Sequence, residues 1–389
     1  MARLSTSDKL NYSEKEVVAI IMNRAMKWLM NTLASIALWA LTAGAQTNQI
    51  TFNGQNLFLN GANIAWRNYA NDVGPNARTD MAYFNRIFGK VHASGGNCLR
   101  LWVHIHGGNT PVWSGNKVTG PGVNTVRDLK QILACAWTNQ VGLILCLWSF
   151  DMLQGKFNTE FAGLTARSYA ILTNDTCRSY YLTNALTPMV KGLKGHPAIV
   201  AWEIFNEPEG MTPQFGWSTY RVNITYVQKF VNQCAGTIHR ADPSARVSNG
   251  AWALFSTTDV TLPGSAHPDN FNYYRDDRLI AAGGDAQGTL DFYMVHYYDW
   301  AGGNKRSPFQ HAAATWKLDK PLVVAEFSFV GCTNCGKNLH IALHDRGYAG
   351  ALDWSFTDEN PAGILDQIAG MAAAYPEAVL VSTNRPAGP

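Results

Sequence analysis

Apolar runs of strand length recur along this chain with helical patterns between them, and that alternation restricts the fold more than any other feature. The candidate strands are Asn63–Trp66, Cys98–Ile105, Gly142–Trp148, Ile199–Phe205, Arg246–Asn249, Phe292–Tyr297, Leu322–Phe327 and Ala349–Trp354. Helical patterns cover Arg127–Asn139, Tyr180–Leu193, Tyr226–His239 and Asn338–Asp345, with Ile364–Ala374 after the last strand. Strands that return through helices run parallel, and eight of them predict a closed (β/α)8 barrel, a single α/β domain. The length of 389 residues, 47% of them hydrophobic, suits one such barrel. Ahead of the first strand, Thr51–Gly61 reads as a small hairpin with an Asn-Gly turn. The polar, Gly-containing stretch Ser256–Asp291 reads as a loop along one rim.

The first 45 residues read as a targeting segment. Leu29–Ala43 is mainly apolar, Arg24 and Lys27 precede it, and Ala43-Gly44-Ala45 is a small-x-small cleavage pattern. Cleavage before Gln46 is expected, leaving residues 46–389 as the catalytic domain of a secreted, extracellular protein. Translation from Met22 or Met26 would give an ordinary signal length. The apolar run is shorter than the roughly 20 residues a membrane span needs, so no membrane association is expected after removal. Of 31 basic and 28 acidic residues, five and three lie in this segment, leaving 26 and 25. A net charge near zero argues against a polyanionic partner such as nucleic acid and suits a neutral substrate. A monomer is expected. Seven cysteines in a secreted chain permit disulfides and leave one unpaired; Cys332 and Cys335 are close enough for a local bridge. Asn174-Asp175-Thr176 and Asn223-Ile224-Thr225 are glycosylation sequons.

The chemistry collects at strand ends. Ile199–Phe205 breaks at Asn206-Glu207-Pro208, because Pro208 cannot donate to a ladder and biases Glu207 away from helix. Leu322–Phe327 also carries a carboxylate near its end, Glu326. In a barrel the carboxyl ends of the strands form the catalytic face, and the fourth and seventh strands face each other across it. Two carboxyls across a cleft are the equipment of glycoside hydrolysis. The bland reading of either Glu alone is a salt bridge to an inward Arg. Arg100, Trp102, His104 and His106 alternate and so share a strand face, which would place Arg100 beside Glu203 and Glu326. His104-x-His106 permits a zinc reading, but the carboxylate pair explains the site with no metal and no cofactor. His296 and Tyr298 share a face at the end of the sixth strand and are placed to orient the carboxylates. Trp354 ends the eighth. Of thirteen Trp residues, Trp66, Trp102, Trp148, Trp252 and Trp300 are candidates for stacking on sugar faces, although a single Trp is more often core.

Gly195-His196-Pro197-Ala198-Ile199-Val200-Ala201-Trp202-Glu203-Ile204-Phe205-Asn206-Glu207-Pro208 resembles the strand-four signature of glycoside hydrolase family 5. Asn97–Trp102, His296-Tyr297-Tyr298, Ala325-Glu326-Phe327 and Trp354 resemble the family's other strand-end motifs, in the same order. Phe58–Trp66 and Val295–Trp300 are similar to the mollusc-type endo-β-1,4-mannanases of its subfamily 10. The resemblance implies a TIM barrel and a retaining mechanism. Glu207 would be the acid/base, Glu326 the nucleophile, and Asn206 the residue on the sugar 2-hydroxyl. Arg100, His296 and Tyr298 would support the carboxylates, and Trp354 would line the subsite of the reacting sugar. The implied substrate is a mannan. The alternatives are a β-1,4-glucanase with the same pair and a non-catalytic carbohydrate-binding barrel. One departure is visible: many members end strand three with a His, where this chain has Leu147-Trp148-Ser149-Phe150-Asp151.

Overall fold

The structure, a computed structural model, describes residues 48–262, 270–299, 306–328, 332, 336–357 and 361–382. The targeting segment and its cleavage site, Trp300 and Cys335 therefore lie outside the described residues.

Eight parallel strands close into a barrel: β1 (Leu59–Ala65), β2 (Cys98–Ile105), β3 (Gly142–Ser149), β4 (Ile199–Asn206), β5 (Val247–Ala251), β6 (Tyr293–Tyr297), β7 (Leu322–Phe327) and β8 (Gly350–Asp353). Each pairs with the next in sequence and β8 pairs back onto β1. The expected fold is the observed one. Its first strand begins earlier than Asn63, because Asn60-Gly61 lies within β1 and the hairpin turn is Asn53-Gly54. Both of those residues have positive φ, 50° and 75°, as a tight two-residue hairpin requires.

Two apolar layers hold the barrel. Outward residues such as Leu101, Leu145, Ile204 and Val324 pack against the helices, while Leu59, Ile144, Met294 and Val323 fill the interior. The hairpin closes the amino-terminal end by adding Ile50, Phe52 and Leu57 to the interior cluster. With that end filled, the inward polar residues near the carboxyl ends face the open mouth.

The helices Thr125–Thr138, Ile224–Ala241, Leu339–Asp345 and Pro361–Ala374 match expected patterns to within a few residues. Helices not legible as such include Met81–Ala93, Leu164–Thr173, Asp175–Tyr181, Pro376–Val379 and Asp276–Gly283. The last lies inside the stretch read as an irregular rim loop. It buries only Leu279, so its apolar stripe is too thin to read. Among the described residues no helix is long and apolar enough to cross a membrane.

Candidate active site

β4 ends at Asn206, and Pro208 opens a short 3-10 turn, Pro208–Met211. Glu207 lies between them with φ 48° and ψ 52°, a left-handed conformation that a non-glycine residue keeps only where its surroundings impose it. Its N–H donates to the Gly250 carbonyl at 2.7 Å, and its own carbonyl accepts the Gly210 N–H at 3.1 Å. Glycine is required at 250, because a Cβ there would lie 2.2 Å from Glu203 Oε1.

Glu326 reaches the same place through a bulge. Val324 pairs with Val295 but Glu326 with His296, so Ala325 is an extra residue that resets the alternation of β7. Glu326 then faces inward beside Glu207. Donor atoms of Glu207, His296 and Glu326 all lie within 4.8 Å of one another.

The two carboxylates have different partners. Glu326 Oε1 accepts from Arg100 Nη1 at 2.5 Å, and Oε2 accepts from the Tyr298 hydroxyl at 3.1 Å. Glu207 Oε1 meets His296 Nδ1 at 2.7 Å. Burial pushes the Glu326 carboxyl up to about 7, with Arg100 pulling against it. Burial raises Glu207 well above the usual range, and the neighbouring Glu326 charge raises it further. Burial, reinforced by Arg100, holds the His296 imidazole well below its ordinary value and hence neutral. Of the pair, Glu207 is therefore the one to hold a proton.

Arg100 is fully buried and organises this end of the barrel. Both expected partners meet it: Glu203 takes the bidentate contact, at 2.6 and 2.7 Å, and Glu326 takes the remaining Nη1. Arg100 also donates to Asn206 Oδ1 at 2.8 Å and Asn63 Oδ1 at 2.9 Å. At the strand-three position, the Ser149 hydroxyl accepts from Asn206 Nδ2 at 3.5 Å and donates to Asp151 Oδ2 at 2.8 Å.

Above the pair opens a cleft of about 700 Å³, into which Asn206, Glu207, Tyr298 and Glu326 all face. Trp66, Trp102 and Trp354 make one wall, their ring centroids 5.2–5.9 Å apart. The cleft is also lined by residues not singled out from sequence: Tyr69, edge-on against Trp66, and Phe150, Asp151, Lys156, Phe157 and Trp217. All lie on loops that follow barrel strands, the one signal that would have pointed to them. A smaller cavity, about 330 Å³, lies at the opposite end beneath the hairpin, far from these groups.

Two of the proposed stacking residues are not in the cleft. Trp148 is fully buried against His104 and Tyr181. Strict alternation would have turned it inward with Cys146. Instead Leu147 and Trp148 both join the outer core, and Ser149 turns back in. β4 slips in the same way, with Ile204 and Phe205 both outside and Asn206 inside. On β2 the slip puts Val103 and His104 outside and Ile105 inside. His104 therefore leaves the face of Arg100 and Trp102, and bonds Thr110 at 2.8 Å. It does not converge with His106, so the zinc reading fails. Trp252 packs edge-on behind Trp217, 4.6 Å between centroids, and supports the ring that lines the cleft.

The Glu207, His296 and Glu326 donors are near enough together to hold a cation. Arg100 already supplies the positive partner of Glu326 Oε1, which leaves that triad an unsuitable metal site.

No protein-family model matches the chain. A mannan endo-1,4-beta-mannosidase of Mytilus edulis is 32% identical over 355 residues, covering 84% of this chain and 92% of the relative. One from Cryptopygus antarcticus is 32% identical over 353 residues, covering 84% and 88%. The solved beta-1,4-mannanase of the sea hare Aplysia kurodai superimposes with a TM-score of 0.76 at 30% identity, covering 87% of this chain and 99% of that one. Similarity of this extent, over a barrel whose strand ends carry the paired carboxylates, places the chain in a family: it belongs to the mannan endo-1,4-beta-mannosidases.

Proposed function

We propose that this protein cuts β-1,4-mannosidic bonds within mannan, glucomannan and galactomannan, with retention of configuration. One observation carries the mechanism: Glu207 and Glu326 bring carboxylate oxygens within 4.8 Å of each other, Glu326 held by Arg100 and Glu207 against the His296 imidazole. Retaining pairs stand about 5–5.5 Å apart, whereas inverting pairs leave roughly 6.5–9.5 Å for a water. Glu326, ionised against Arg100, attacks the anomeric carbon. Protonated Glu207 gives its proton to the glycosidic oxygen as that bond breaks. Water then enters, Glu207 takes its proton, and the mannosyl–Glu326 ester is released as the β-anomer. Asn206, held by Arg100 through Oδ1, lines the cleft and would bind the 2-hydroxyl of the reacting sugar. Tyr298 and His296 orient the carboxylates, and Trp66, Trp102 and Trp354 offer faces for sugar rings.

The reading extends to the whole chain. The protein is secreted after cleavage before Gln46, acts as a monomer on a neutral polysaccharide, and needs neither metal nor cofactor. Cys332 is disulfide-bonded, as a secreted protein permits. Reducing-sugar release from mannan against carboxymethylcellulose tests the substrate. Hydrolysis of mannan alone supports the proposal, and hydrolysis of the cellulose derivative alone replaces it with a β-1,4-glucanase. Glu207→Gln and Glu326→Gln should each abolish hydrolysis of mannan. An activated aryl mannoside should restore glycosylation in the Glu207 variant only. Full activity of either variant on mannan would refute the pair.

A further inference from the structure

Glu209 is a carboxylate the mechanism above does not use, yet it is fully buried two residues beyond Glu207. Its Oε1 accepts the Tyr274 hydroxyl at 2.5 Å, and its Oε2 accepts the Trp252 N–H at 3.0 Å. The Ser256 hydroxyl and its own peptide N–H face it as well. Burial raises the Glu209 carboxyl above its ordinary value, and the donors around it pull the other way, toward the charged form. The Trp252 contact has a second effect. Glu207 N–H bonds to Gly250 and Trp252 N–H bonds to Glu209, so residues 207–209 are tied to the end of β5 on both sides of Ala251.

Resting on the retaining reading of the site, we propose that Glu209 is a positioning residue for Glu207. It clamps the left-handed turn that aims the acid/base and supplies a negative charge that stays constant through the catalytic cycle. The charge on Glu326 does not stay constant: it vanishes when the mannosyl ester forms. Glu207 then loses the neighbour that held its proton, which suits its change from acid to base. Were Glu326 the only negative neighbour, Glu207 would then become a weak base. Glu209 keeps its basicity up in the second step. The other groups facing Glu207 are His296 from β6, Tyr298 just after it, Arg100 from β2 and Asp151 after β3. Of these, Arg100 opposes the effect and Asp151 adds to it.

The test is the pH dependence of kcat/KM on mannan for the full chain and for Glu209→Gln. That variant keeps an oxygen for the Trp252 N–H and loses the charge. Its basic limb should move down by about one pH unit, as loss of a like-charged neighbour implies, while the rate at the acidic side stays within a few-fold. Glu209→Asp should restore the limb. A lower rate with an unmoved limb would make Glu209 merely structural and overturn the inference. Should Glu209→Gln not fold, the wild-type enzyme decides. Trapped as its 2-fluoromannosyl ester, it should reactivate with a Glu207 pKa still above the ordinary glutamate range. A value within that range overturns the inference. A wild-type chain inactive on mannan would refute the reading of the site itself, whereas an active one with an unmoved limb refutes only the role of Glu209.

Discussion

Two glutamates of identical chemistry are made unlike by what touches them. Arg100 and Tyr298 favour the charged form of Glu326, and the neutral His296 ring favours neither form of Glu207 strongly. The activity profile should therefore be bell-shaped. As pH falls through the Glu326 pKa the nucleophile is protonated and lost; as pH rises through the higher Glu207 pKa the acid is lost. Tyr298→Phe removes a donor to Glu326, so the acidic limb should move to higher pH. Losing a hydrogen bond to a charged group, about 1.5–3 kcal/mol, should also lower kcat/KM about 10- to 100-fold. A limb that moves to lower pH would contradict the geometry. Arg100→Ala would strand Glu203 and Glu326 together in the barrel and should destabilise the protein by about 3–5 kcal/mol, read from denaturant unfolding.

Individual strands explain which parts of the site were legible in the sequence. The Asn206-Glu207-Pro208 break and the Glu in Leu322–Phe327 stood out because polar groups interrupted apolar runs at strand ends. The eight-strand alternation stood out for the same reason. Trp148 did not, because the phase slips on β2, β3 and β4 put two successive residues outside, and nothing in the residue types announces a slip. The prominence of Glu203 as the bidentate partner of Arg100 needed side-chain geometry. Cleft residues on loops, such as Trp217 and Asp151, had no periodicity to mark them. The slip has a measurable consequence. Trp148→Ala should cost about 3–5 kcal/mol, as large core truncations do, and leave KM on mannan unchanged. Trp217→Ala should raise KM with little change in Tm. At the β5 end, Gly250→Ala drives a methyl into Glu203 Oε1. Overpacking of this kind costs about 1–3 kcal/mol, and the displaced Glu203–Arg100 pair should take most of the activity with it. Calorimetry and an assay on the same sample check both effects.

For the whole molecule, the barrel divides its labour by end. The hairpin and the lower apolar layer fill the amino-terminal end, and the polar groups that cost most to bury are gathered at the other, around Arg100. Arg100 links β2 to β1, β4 and β7, so closure of the barrel and assembly of the site are the same event. A chelator should leave activity untouched, because the arginine takes the place a metal would fill. Amino-terminal sequencing of secreted protein should begin at Gln46. The central claim is that Glu326 attacks and Glu207 donates, and the product's stereochemistry reads it directly. Proton NMR followed from the first minutes of β-1,4-mannohexaose hydrolysis should show the β-anomer of the new reducing end before mutarotation. An α-anomer appearing first would mean that water, not Glu326, attacks the sugar, and would contradict the account.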